Sequence, residues 1–427
     1  TAGAASMYCG SCLRDNALAR ELIRQGHDVM LVPIYTPTLV DGENVSRDHV
    51  LFGGISVYLQ QHSKIFRHTP AFVDRLWDSM PALRMAARRS IATEPRMLGE
   101  LTVYLLAGQN ALLLNDSLKL RTWIRETEPP DIINLPNSIL IALAKPLREE
   151  FQRPVCCTLQ GEDLFLDGLT EPYRSRAMEL IRSAIQQVDA FISPSRFYAT
   201  YMSDYLSIPG EKIHHVPLGL DPSAFSPSFP LRDETKAARI GFLARIAPEK
   251  GLHLLADAYI HLRRELQWPE ARLEAAGYLG PDHHGYLEKI QTALTAAGLA
   301  EEFHYHGEVD HPAKLRFLES IDIFAAPAIF EEPKGLFLLE AWAAGLPVVA
   351  TRRGALPEMV EATGGGILVE PDNPAAMAQG LQSLLSDPAR ARDLGQAGAA
   401  GLTRHYHVTR MAARTLEIYQ AINRSAS

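Results

Sequence analysis

The segment FEEPKGLFLLEAWAAGLPVVAT combines acidic residues with an almost wholly apolar run. The run predicts a helix from Leu336 to Ala344, because Gly345 and Pro347 follow it and end it. Eight of these nine residues are apolar, so the helix must be buried on nearly all sides. The ninth is Glu340, and a buried carboxylate is costly unless it is paired. Either a Lys or Arg from elsewhere pairs with it, or it holds the hydroxyl groups of a ligand through charge-assisted hydrogen bonds.

A second acid, Glu332, lies just before this helix in a loop that contains Pro333 and Gly335. The start of the helix leaves the N–H groups of Gly335 and Leu336 without helical partners, and its dipole favours an anion there. The segment therefore offers a loop acid, a cradle for an anion and a buried acid. A nucleotide-sugar would use all of them, through its sugar hydroxyls, its diphosphate and its ribose hydroxyls.

Two cations lie in the segment GFLARIAPEKG, after a predicted strand. Arg245 opens the turn, and Lys250 lies in the first turn of a helix that begins at Pro248 and Glu249. Ligands of open parallel sheets bind at the carboxyl ends of the strands, so both cations could neutralise a departing diphosphate. Alternatively, both are surface residues and Lys250 pairs with Glu249 or Asp257.

The chain contains four cysteines, Cys9, Cys12, Cys156 and Cys157. Cys9 and Cys12 form a C-x-x-C pattern, which occurs in dithiol redox centres, in half of a zinc site, or without chemical function. A thiol at the start of a helix can have a lowered pKa and be reactive, which would apply to Cys12. Four cysteines are too few for a disulfide scaffold, and a reducing, cytoplasmic location is expected.

Length and composition indicate an ordinary globular protein with two large domains. The chain has 427 residues, of which 47% are hydrophobic and 22% charged. The net charge of -8 provides no general attraction to nucleic acid or anionic lipid. No apolar run is long enough to span a bilayer.

Short apolar runs alternate with helical segments in both halves of the chain. This rhythm is typical of parallel strands covered on both faces, and it predicts an α/β fold with two doubly wound, Rossmann-like domains. The predicted strands are 28–35, 131–135, 155–159 and 190–195 in the first half, and 240–244, 272–277, 303–307, 321–327, 346–351 and 365–370 in the second. The predicted domains are 1–218 and 219–404, with a C-terminal helix in 405–427 that packs back on the first domain.

Residues 57–110 fit this rhythm poorly and are predicted to be a helical insertion. Its basic residues outnumber its acidic ones over 64–96, and they are Lys64, Arg67, Arg75, Arg84, Arg88, Arg89 and Arg96. They form either a solvated surface or a basic ledge that handles the acceptor or touches anionic lipid at the membrane periphery.

Several spaced motifs resemble the retaining glycosyltransferases of family 4, which have the GT-B fold. The E-x7-E pattern of Glu332 and Glu340 is followed by AWAAGLPVVAT and GALPE, and GHDV closes the first predicted helix. IHHVPLGLDPSAF resembles the interdomain segment of that family, and GFLARIAPEKG resembles its donor-phosphate motif. The resemblance implies that the two domains face a cleft in which a nucleotide-diphosphate sugar such as a UDP- or GDP-sugar binds. It also implies that the chemistry needs no metal ion and no cofactor.

The resemblance assigns roles by position. It implies catalytic roles for Glu332, Arg245 and Lys250. It implies donor contacts for Gly10, Gln160, Arg245, Lys250, Val309, Glu332, Gly335, Leu336, Phe337 and Glu340. The acceptor could be a saccharide, a lipid or a small molecule, and no nucleic acid partner is expected.

The segment CCTLQGEDLF departs from the family pattern Thr-x-His-Gly-x-Asp. Gln160 occupies the position of the His, which approaches the donor sugar in the family, and Gly161 and Asp163 follow. A Gln can hydrogen-bond a sugar hydroxyl but cannot carry a positive charge or shuttle a proton. Gln160 therefore either contacts the donor or structures its loop, and Asp163 contacts the acceptor or belongs to that loop.

The loop before the first helix is Gly-rich in the family, with a Gly-Gly pair nine residues before a Leu-Ala pair. Cys9 and Gly10 occupy that position relative to Leu18 and Ala19, and Ser11 follows as an acceptor or loop residue. Gly10 would let the backbone approach the donor phosphate or the acceptor. The strand that precedes this loop in the family is expected upstream of the first residue.

Retention in this family is explained by front-face attack, in which the leaving diphosphate helps to deprotonate the acceptor. The protein then stabilises the leaving group and the oxocarbenium-like sugar electrostatically. The alternatives are another GT-B enzyme, either an epimerase of nucleotide-sugars or a sugar phosphorylase, a binding module without catalysis, and a thiol redox protein based on Cys9 and Cys12.

Overall fold

The computed structural model describes residue 1 and residues 10–34, 38–47, 95–107, 127–229 and 235–426. The predicted insertion falls mostly outside these ranges, and the part that is described contains a helix, Pro95–Ala107. The basic residues of the predicted ledge also lie outside them, apart from the exposed Arg96, and so does Cys9. None of the described helices is both long and apolar enough to cross a membrane.

The chain divides into two compact units. Unit 1 contains Thr1–Pro217 and Met411–Ser427, and unit 2 contains Leu218–Arg410. The boundary after Pro217 falls in a segment that also contains Pro222 and Pro227, and proline disfavours both helices and strands.

Unit 1 is built on a parallel sheet whose four described strands follow the order of the chain, β1-β2-β3-β4. The strands are Ile133–Leu135 (β1), Val155–Thr158 (β2), Ala190–Ser193 (β3) and Ile213–His215 (β4). The helices are Gly10–Arg24 (α1), Pro95–Ala107 (α2), Ala144–Phe151 (α3), Asp163–Asp167 (α4), Tyr173–Ala184 (α5) and Arg196–Leu206 (α6). All residues of β2 and β3 are buried, as expected for strands covered on both faces.

The strand predicted over 28–35 is wrong for the residues that are described. Leu31 forms only an isolated bridge with Ser46. Farther along, the N–H of Ile34 bonds to the carbonyl of Thr1, and the amino group of Thr1 donates to the carbonyl of Val32. An apolar run becomes a strand only where a neighbouring strand supplies a continuous hydrogen-bonding ladder, and the described residues provide only these single contacts.

Unit 2 is built on a parallel sheet in which six strands are described, in the order β10-β9-β8-β5-β6-β7. The strands are Ala238–Leu243 (β5), Ala271–Ala276 (β6), Phe303–Tyr305 (β7), Ile323–Ala326 (β8), Val348–Thr351 (β9) and Gly366–Val369 (β10). The helices are Leu252–Arg264 (α7), His284–Ala296 (α8), His311–Glu319 (α9), Leu336–Ala343 (α10), Leu356–Thr363 (α11), Pro374–Leu385 (α12), Pro388–His405 (α13) and Val408–Ala426 (α14), of which α14 continues into unit 1. The two parallel α/β sheets confirm the predicted fold class.

The strand order of unit 2 reverses beside β5, which pairs with β6 on one side and with β8 on the other. The connections that leave these neighbouring strands run in opposite directions, and this creates a crevice at the carboxyl edge of the sheet. Arg245 and Lys250 follow β5, and Glu332 follows β8. The topology therefore places the strongest sequence motifs at the point where ligands of such sheets bind.

The loops at this edge approach each other so closely that they require glycine. Gly251 has a φ of 78°, and a Cβ there would lie 1.9 Å from the carbonyl oxygen of Pro327. Its left-handed conformation ends a short 3₁₀ turn, Pro248–Lys250, and α7 begins only at Leu252. Pro248 thus begins a helical turn that contains Lys250, as predicted, but Gly251 separates this turn from α7.

Candidate active site

Glu332 lies in the loop between β8 and α10 and is 3% exposed. Both of its carboxylate oxygens accept hydrogen bonds within unit 2. Oε2 lies 2.8 Å from Nζ of Lys250, and Oε1 accepts from the backbone N–H of Gly335 at 3.2 Å. The carboxylate thus joins the loop that follows β5 to the loop that follows β8.

Burial is the largest influence on the pKa of Glu332 and by itself would raise it. The charge and hydrogen bond of Lys250, the N–H of Gly335 and the charge of Lys334 act in the other direction and outweigh it. The pKa is consequently lowered below the usual value for Glu, and the side chain is ionised at neutral pH.

Lys250 is held by aromatic rings as well as by Glu332. Its Nζ lies 4.4 Å from the centre of the Phe330 ring and 5.7 Å from that of Phe337. The alternative in which Lys250 pairs with Glu249 or Asp257 is wrong, because its ion pair is with Glu332, 82 positions along the chain. The side chain of Lys250 is largely buried, with 17% of its surface exposed.

Arg245 lies at the same edge but is more accessible. Its side chain is 44% exposed, and Nη2 lies 2.6 Å from Oε1 of Glu249, one helical turn away in sequence. An exposed pair of this kind contributes little to stability, about 0–1 kcal/mol. Arg245 can therefore exchange Glu249 for an anionic ligand at small cost.

The loop that carries Glu332 is supported by residues that sequence reasoning did not single out. Glu331 lies 3.0 Å from Nη1 of Arg353 and accepts from the N–H of Gly354 at 2.6 Å. The carbonyl of Glu332 accepts from the N–H of Ala355 at 2.7 Å. The segment GALPE, which begins at Gly354, was part of the family signature, and its role here is to support the Glu332 loop from behind.

The anion cradle predicted at the start of α10 loses one of its two N–H groups. The N–H of Gly335 is not free, because it donates to Glu332. Gly335 has a φ of 59°, and a Cβ there would lie 2.7 Å from the sulfur of Met359. Leu336 and Phe337, the first two residues of α10, are half-buried, and the ring of Phe337 stacks on Phe324.

Glu340 is paired with a cation from another helix. Oε1 lies 2.6 Å from Nζ of Lys314 in α9, and both side chains are about nine-tenths buried, at 9% and 10% exposure. Of the two alternatives for Glu340, the structure therefore shows the protein cation. Lys314 shares the buried face of α9 with Phe317 and Leu318, and this helical spacing with an apolar face is the signal in the sequence that could have identified it.

Val309 is half-buried in the segment between β7 and α9. The next residue, Asp310, caps α9 by accepting from the N–H of Ala313 at 2.9 Å. The neighbouring His306 bonds to Glu274 at 2.8 Å. Across the described ranges, no group of His, Cys, Asp or Glu residues is arranged to hold a metal ion.

In unit 1, Gln160 follows β2 at the carboxyl edge of the sheet and is 8% exposed. Its Nε2 donates to Oδ1 of Asp15 at 3.1 Å and to the carbonyl of Pro136 at 2.9 Å. Its backbone N–H donates to Glu162 at 2.6 Å. Both amide hydrogens of the side chain are thus used within the protein, which fixes the orientation of the amide.

Asp163, the first residue of α4, is 6% exposed and accepts a hydrogen bond from the hydroxyl of Tyr198. Burial raises the pKa of Asp163 to about 6, although the hydrogen bond from Tyr198 partly opposes this effect. The same hydroxyl accepts from the N–H of Gly161 at 3.1 Å. Asp163 is therefore built into the loop, and it titrates close to physiological pH.

Gly10 and Ser11 are the first two residues of α1 and are half-buried. The interior of this helix is unusually polar, because Arg14 and Asp15 are 5% and 7% exposed and form an ion pair at 3.1 Å. Asp15 also accepts from Gln160, so that α1 is tied to the loop after β2. Sequence reasoning did not single out Arg14 or Asp15, and an adjacent Arg-Asp pair gives little signal of burial.

The described cysteines are buried. Cys12 is 1% exposed, while Cys156 and Cys157 are completely inaccessible. Burial raises the pKa of Cys156 to about 12 and that of Cys157 well above its usual value, so neither forms a nucleophilic thiolate readily. The burial of Cys12 does not favour the reactivity suggested for it, and Cys9 lies outside the described residues.

Comparison with known families matches most of the chain. The family model described as Glycosyltransferase Family 4 matches residues 95–224, and the model described as Glycosyl transferases group 1 matches residues 228–400.

Curated relatives are similar over part of their length. The α-maltose-1-phosphate synthase of Mycolicibacterium smegmatis is 29% identical over 262 residues, which cover 57% of this chain and 65% of that protein. The D-inositol 3-phosphate glycosyltransferase of Arthrobacter sp. is 31% identical over 49% of this chain and 50% of that protein. A GDP-mannose-dependent mannosyltransferase of M. smegmatis that acts on phosphatidylinositol monomannoside is 31% identical over 44% of this chain and 51% of that protein. The chain thus spans between 50% and 65% of the length of these relatives.

Solved structures show a shared fold. The Anabaena protein Alr3699/HepE in complex with UDP superposes with a TM-score of 0.65 at 17% identity, over 98% of both chains. Sucrose-phosphate synthase from Thermosynechococcus elongatus gives a TM-score of 0.61 at 21% identity, over 74% of this chain and 80% of that one.

Proposed function

Since the chain belongs to glycosyltransferase family 4 and has the GT-B fold, we propose that it transfers a sugar from a nucleotide-diphosphate sugar to an acceptor. We further propose that the transfer retains the anomeric configuration and needs no metal ion. The observation that carries the proposal is the Lys250–Glu332 pair, which lies at the point where the strand order of unit 2 reverses.

In this proposal Lys250 and Arg245 hold the diphosphate and stabilise the negative charge that grows on it as the bond to the sugar breaks. Lys250 is suited to this role because burial strengthens its electrostatic interactions. Arg245 is suited because its exposed pair with Glu249 is easily exchanged. Two cations near the leaving group would supply the charge that a divalent metal supplies in other transferases.

Glu332 would orient the hydroxyls of the donor sugar. Its low pKa keeps it ionised, and an ionised carboxylate is a strong acceptor of hydroxyl hydrogen bonds. Lys250 balances the negative charge of Glu332, so the carboxylate stays ionised before any ligand binds. Because the described protein groups hold the carboxylate at both oxygens, we assign it a positioning and electrostatic role rather than that of a covalent nucleophile.

We propose that unit 1 contributes Gly10, Ser11, Gln160 and Asp163 to binding of the acceptor and of the distal side of the donor. The position of Gln160 at the carboxyl edge of the unit 1 sheet supports this, because Asp15 and the carbonyl of Pro136 fix its amide there. A Gln in this position cannot transfer a proton as a histidine could, which agrees with a mechanism in which the leaving diphosphate takes the proton of the acceptor.

The donor is proposed to be a UDP- or GDP-sugar. A GDP-mannose-dependent relative and the UDP complex of Alr3699/HepE support these two bases. The deciding experiment measures the release of nucleoside diphosphate from a panel of nucleotide-sugars, with and without candidate saccharide, lipid and small-molecule acceptors, in the presence of EDTA. Formation of an isomeric nucleotide-sugar without acceptor would instead identify an epimerase.

The site assignment is tested with Lys250→Ala and Glu332→Ala in the same assay. Each should lower turnover by a factor of about 100 or more, because each removes a charged group from the reacting centre. Lys145→Ala is the matched control, since Lys145 forms an exposed pair with Glu149 in unit 1. Near-normal turnover in either site variant, with the control unchanged, would refute the assignment.

A further inference from the structure

Two adjacent acids, Glu331 and Glu332, follow β8 in the same loop, and Lys250 pairs with the second of them. Glu332 is 4% exposed and lies 2.8 Å from Nζ of Lys250. The side chain of Glu331 is 38% exposed and lies 3.0 Å from Nη1 of Arg353. The two acids carry the same charge, so charge alone does not determine which of them Lys250 meets.

Arg353 is held on two sides by acids from different loops. Its Nη1 contacts Glu331 in the loop after β8, and its Nη2 contacts Asp372 in the loop after β10. A guanidinium group presents its N–H donors in a rigid planar fork, so a partner on one side fixes the direction in which the other side points. Asp372 therefore orients Arg353 toward Glu331.

The loop after β9 also holds the second oxygen of Glu331. Oε2 accepts from the N–H of Gly354 at 2.6 Å, and the N–H of Ala355 donates to the carbonyl of Glu332 at 2.7 Å. The loop thus binds the side chain of one acid and the main chain of the next. Because both oxygens of Glu331 are engaged in this way, its carboxylate is held at the loop after β9 and not at Lys250.

We infer that Arg353 is a positioning residue that captures Glu331 and thereby leaves Glu332 as the acid that pairs with Lys250. The inference rests on the proposed function, in which Glu332 orients the hydroxyls of the donor sugar. Arg353 contacts no substrate in this account and acts through the two acids. Without Arg353, Glu331 is an accessible carboxylate that competes with Glu332 for the same ammonium group.

The first measurement follows the interaction between Lys250 and Glu332 and needs no substrate. Urea denaturation of the full chain and of the variants Lys250→Met, Glu332→Gln and their combination gives the coupling between the two side chains. The same cycle is repeated in Arg353→Met. There the coupling should fall by roughly tenfold in the equilibrium constant for unfolding, because Glu331 shares the lysine. An unchanged coupling would refute the inference.

The second measurement is the kcat for release of nucleoside diphosphate from the nucleotide-sugar that the wild type uses. Arg353→Met should lower kcat by about tenfold to a hundredfold, because the groups at the reacting centre are misplaced. Arg353→Met/Glu331→Gln should recover part of this loss, because a neutral amide competes less for the lysine but can still accept from Gly354. A merely structural role of the pair predicts no recovery, so a double variant no faster than Arg353→Met would refute the inference.

Arg352→Met is the matched control. Arg352 precedes Arg353, its side chain is 47% exposed, and its acid partners Glu361 and Glu370 lie 3.8 Å away, so both measurements should match the wild type. If Arg353→Met fails to fold, Asp372→Asn loosens the same arginine more gently and should lower kcat and the coupling in the same direction. Wild-type values of both in that variant would refute the inference.

Failure of this inference differs from failure of the proposed function. If the wild type releases no nucleoside diphosphate from any nucleotide-sugar, the proposed function fails, while a coupling that falls in Arg353→Met still supports the positioning of Glu332. If the wild type turns over its donor and Arg353→Met keeps the wild-type kcat, the proposed function stands and the role of Arg353 is refuted.

Discussion

Replacing Lys250 by Met should destabilise unit 2, in addition to its effect on catalysis. The substitution leaves the carboxylate of Glu332, whose side chain is 4% exposed, without its counter-charge. At 2.8 Å and an effective dielectric constant of about 20, the lost attraction is about 6 kcal/mol before solvation is considered. Breaking a buried pair by removing one partner costs about 3–5 kcal/mol in measured cases, and this is the expected loss at neutral pH.

The effect should depend on pH in a defined direction. In the wild type the pKa of Glu332 is lowered, so its contribution to stability is present above the usual pKa of Glu and is lost as pH falls through the lowered value. Without Lys250, burial dominates and raises the pKa of Glu332. The variant should therefore regain part of its relative stability as pH falls from about 7 to about 4.5, because the carboxyl becomes neutral.

The measurement is urea denaturation of the wild type, Lys250→Met and Lys250→Met/Glu332→Gln at both pH values. The double variant should be more stable than Lys250→Met at neutral pH, since it no longer buries an unpaired charge. Lys145→Met, which breaks an exposed pair, should change the free energy of unfolding by less than about 1 kcal/mol. A Lys250→Met protein that is as stable as this control at neutral pH would refute the account of the pair.

Three further predictions concern the loops at the two sheet edges. Gly354→Ala should abolish most turnover, because Gly354 has a φ of 57° and a Cβ there would lie 2.2 Å from the carbonyl oxygen of Glu332; steady-state kinetics on folded protein tests this, and normal kcat would contradict it. Tyr198→Phe should raise the pKa of Asp163 further above about 6, because the hydroxyl hydrogen bond that lowers it is lost; NMR titration of the carboxyl checks the direction, and an unchanged or lower pKa would contradict it. Arg245→Met should leave stability within about 1 kcal/mol of the wild type but lower kcat, because the pair with Glu249 is exposed; a large loss of stability with normal kcat would reverse its assignment.

The sequence predicted most of the sheet framework. Strands such as those over 155–159 and 321–327 were predicted correctly because a buried parallel strand needs a continuous apolar run. Such a run can be recognised from consecutive residues alone. The strand predicted over 28–35 was wrong, because an apolar run does not show whether a neighbouring strand is present to pair with it.

The site was predicted in part. The acids Glu332 and Glu340 were identified because a carboxylate in or beside an apolar helix is costly to bury unless it has a partner. Their partners were not, because Lys250 lies 82 positions from Glu332, and Lys314 lies 26 positions from Glu340. Only the approach of the separate loops and helices determines such pairs.

The protein as a whole shows the same difference between what the local sequence determines and what only the fold determines. The sequence by itself determined the residue types, the apolar periodicities and the spacing that place this chain among the family 4 glycosyltransferases. The tertiary structure decided that the N–H of Gly335 donates to Glu332, that Gln160 donates to Asp15, and that Glu340 pairs with Lys314. The physical reason is that composition and periodicity are local properties, whereas the pairing of buried polar groups depends on which distant segments the fold brings within hydrogen-bond distance.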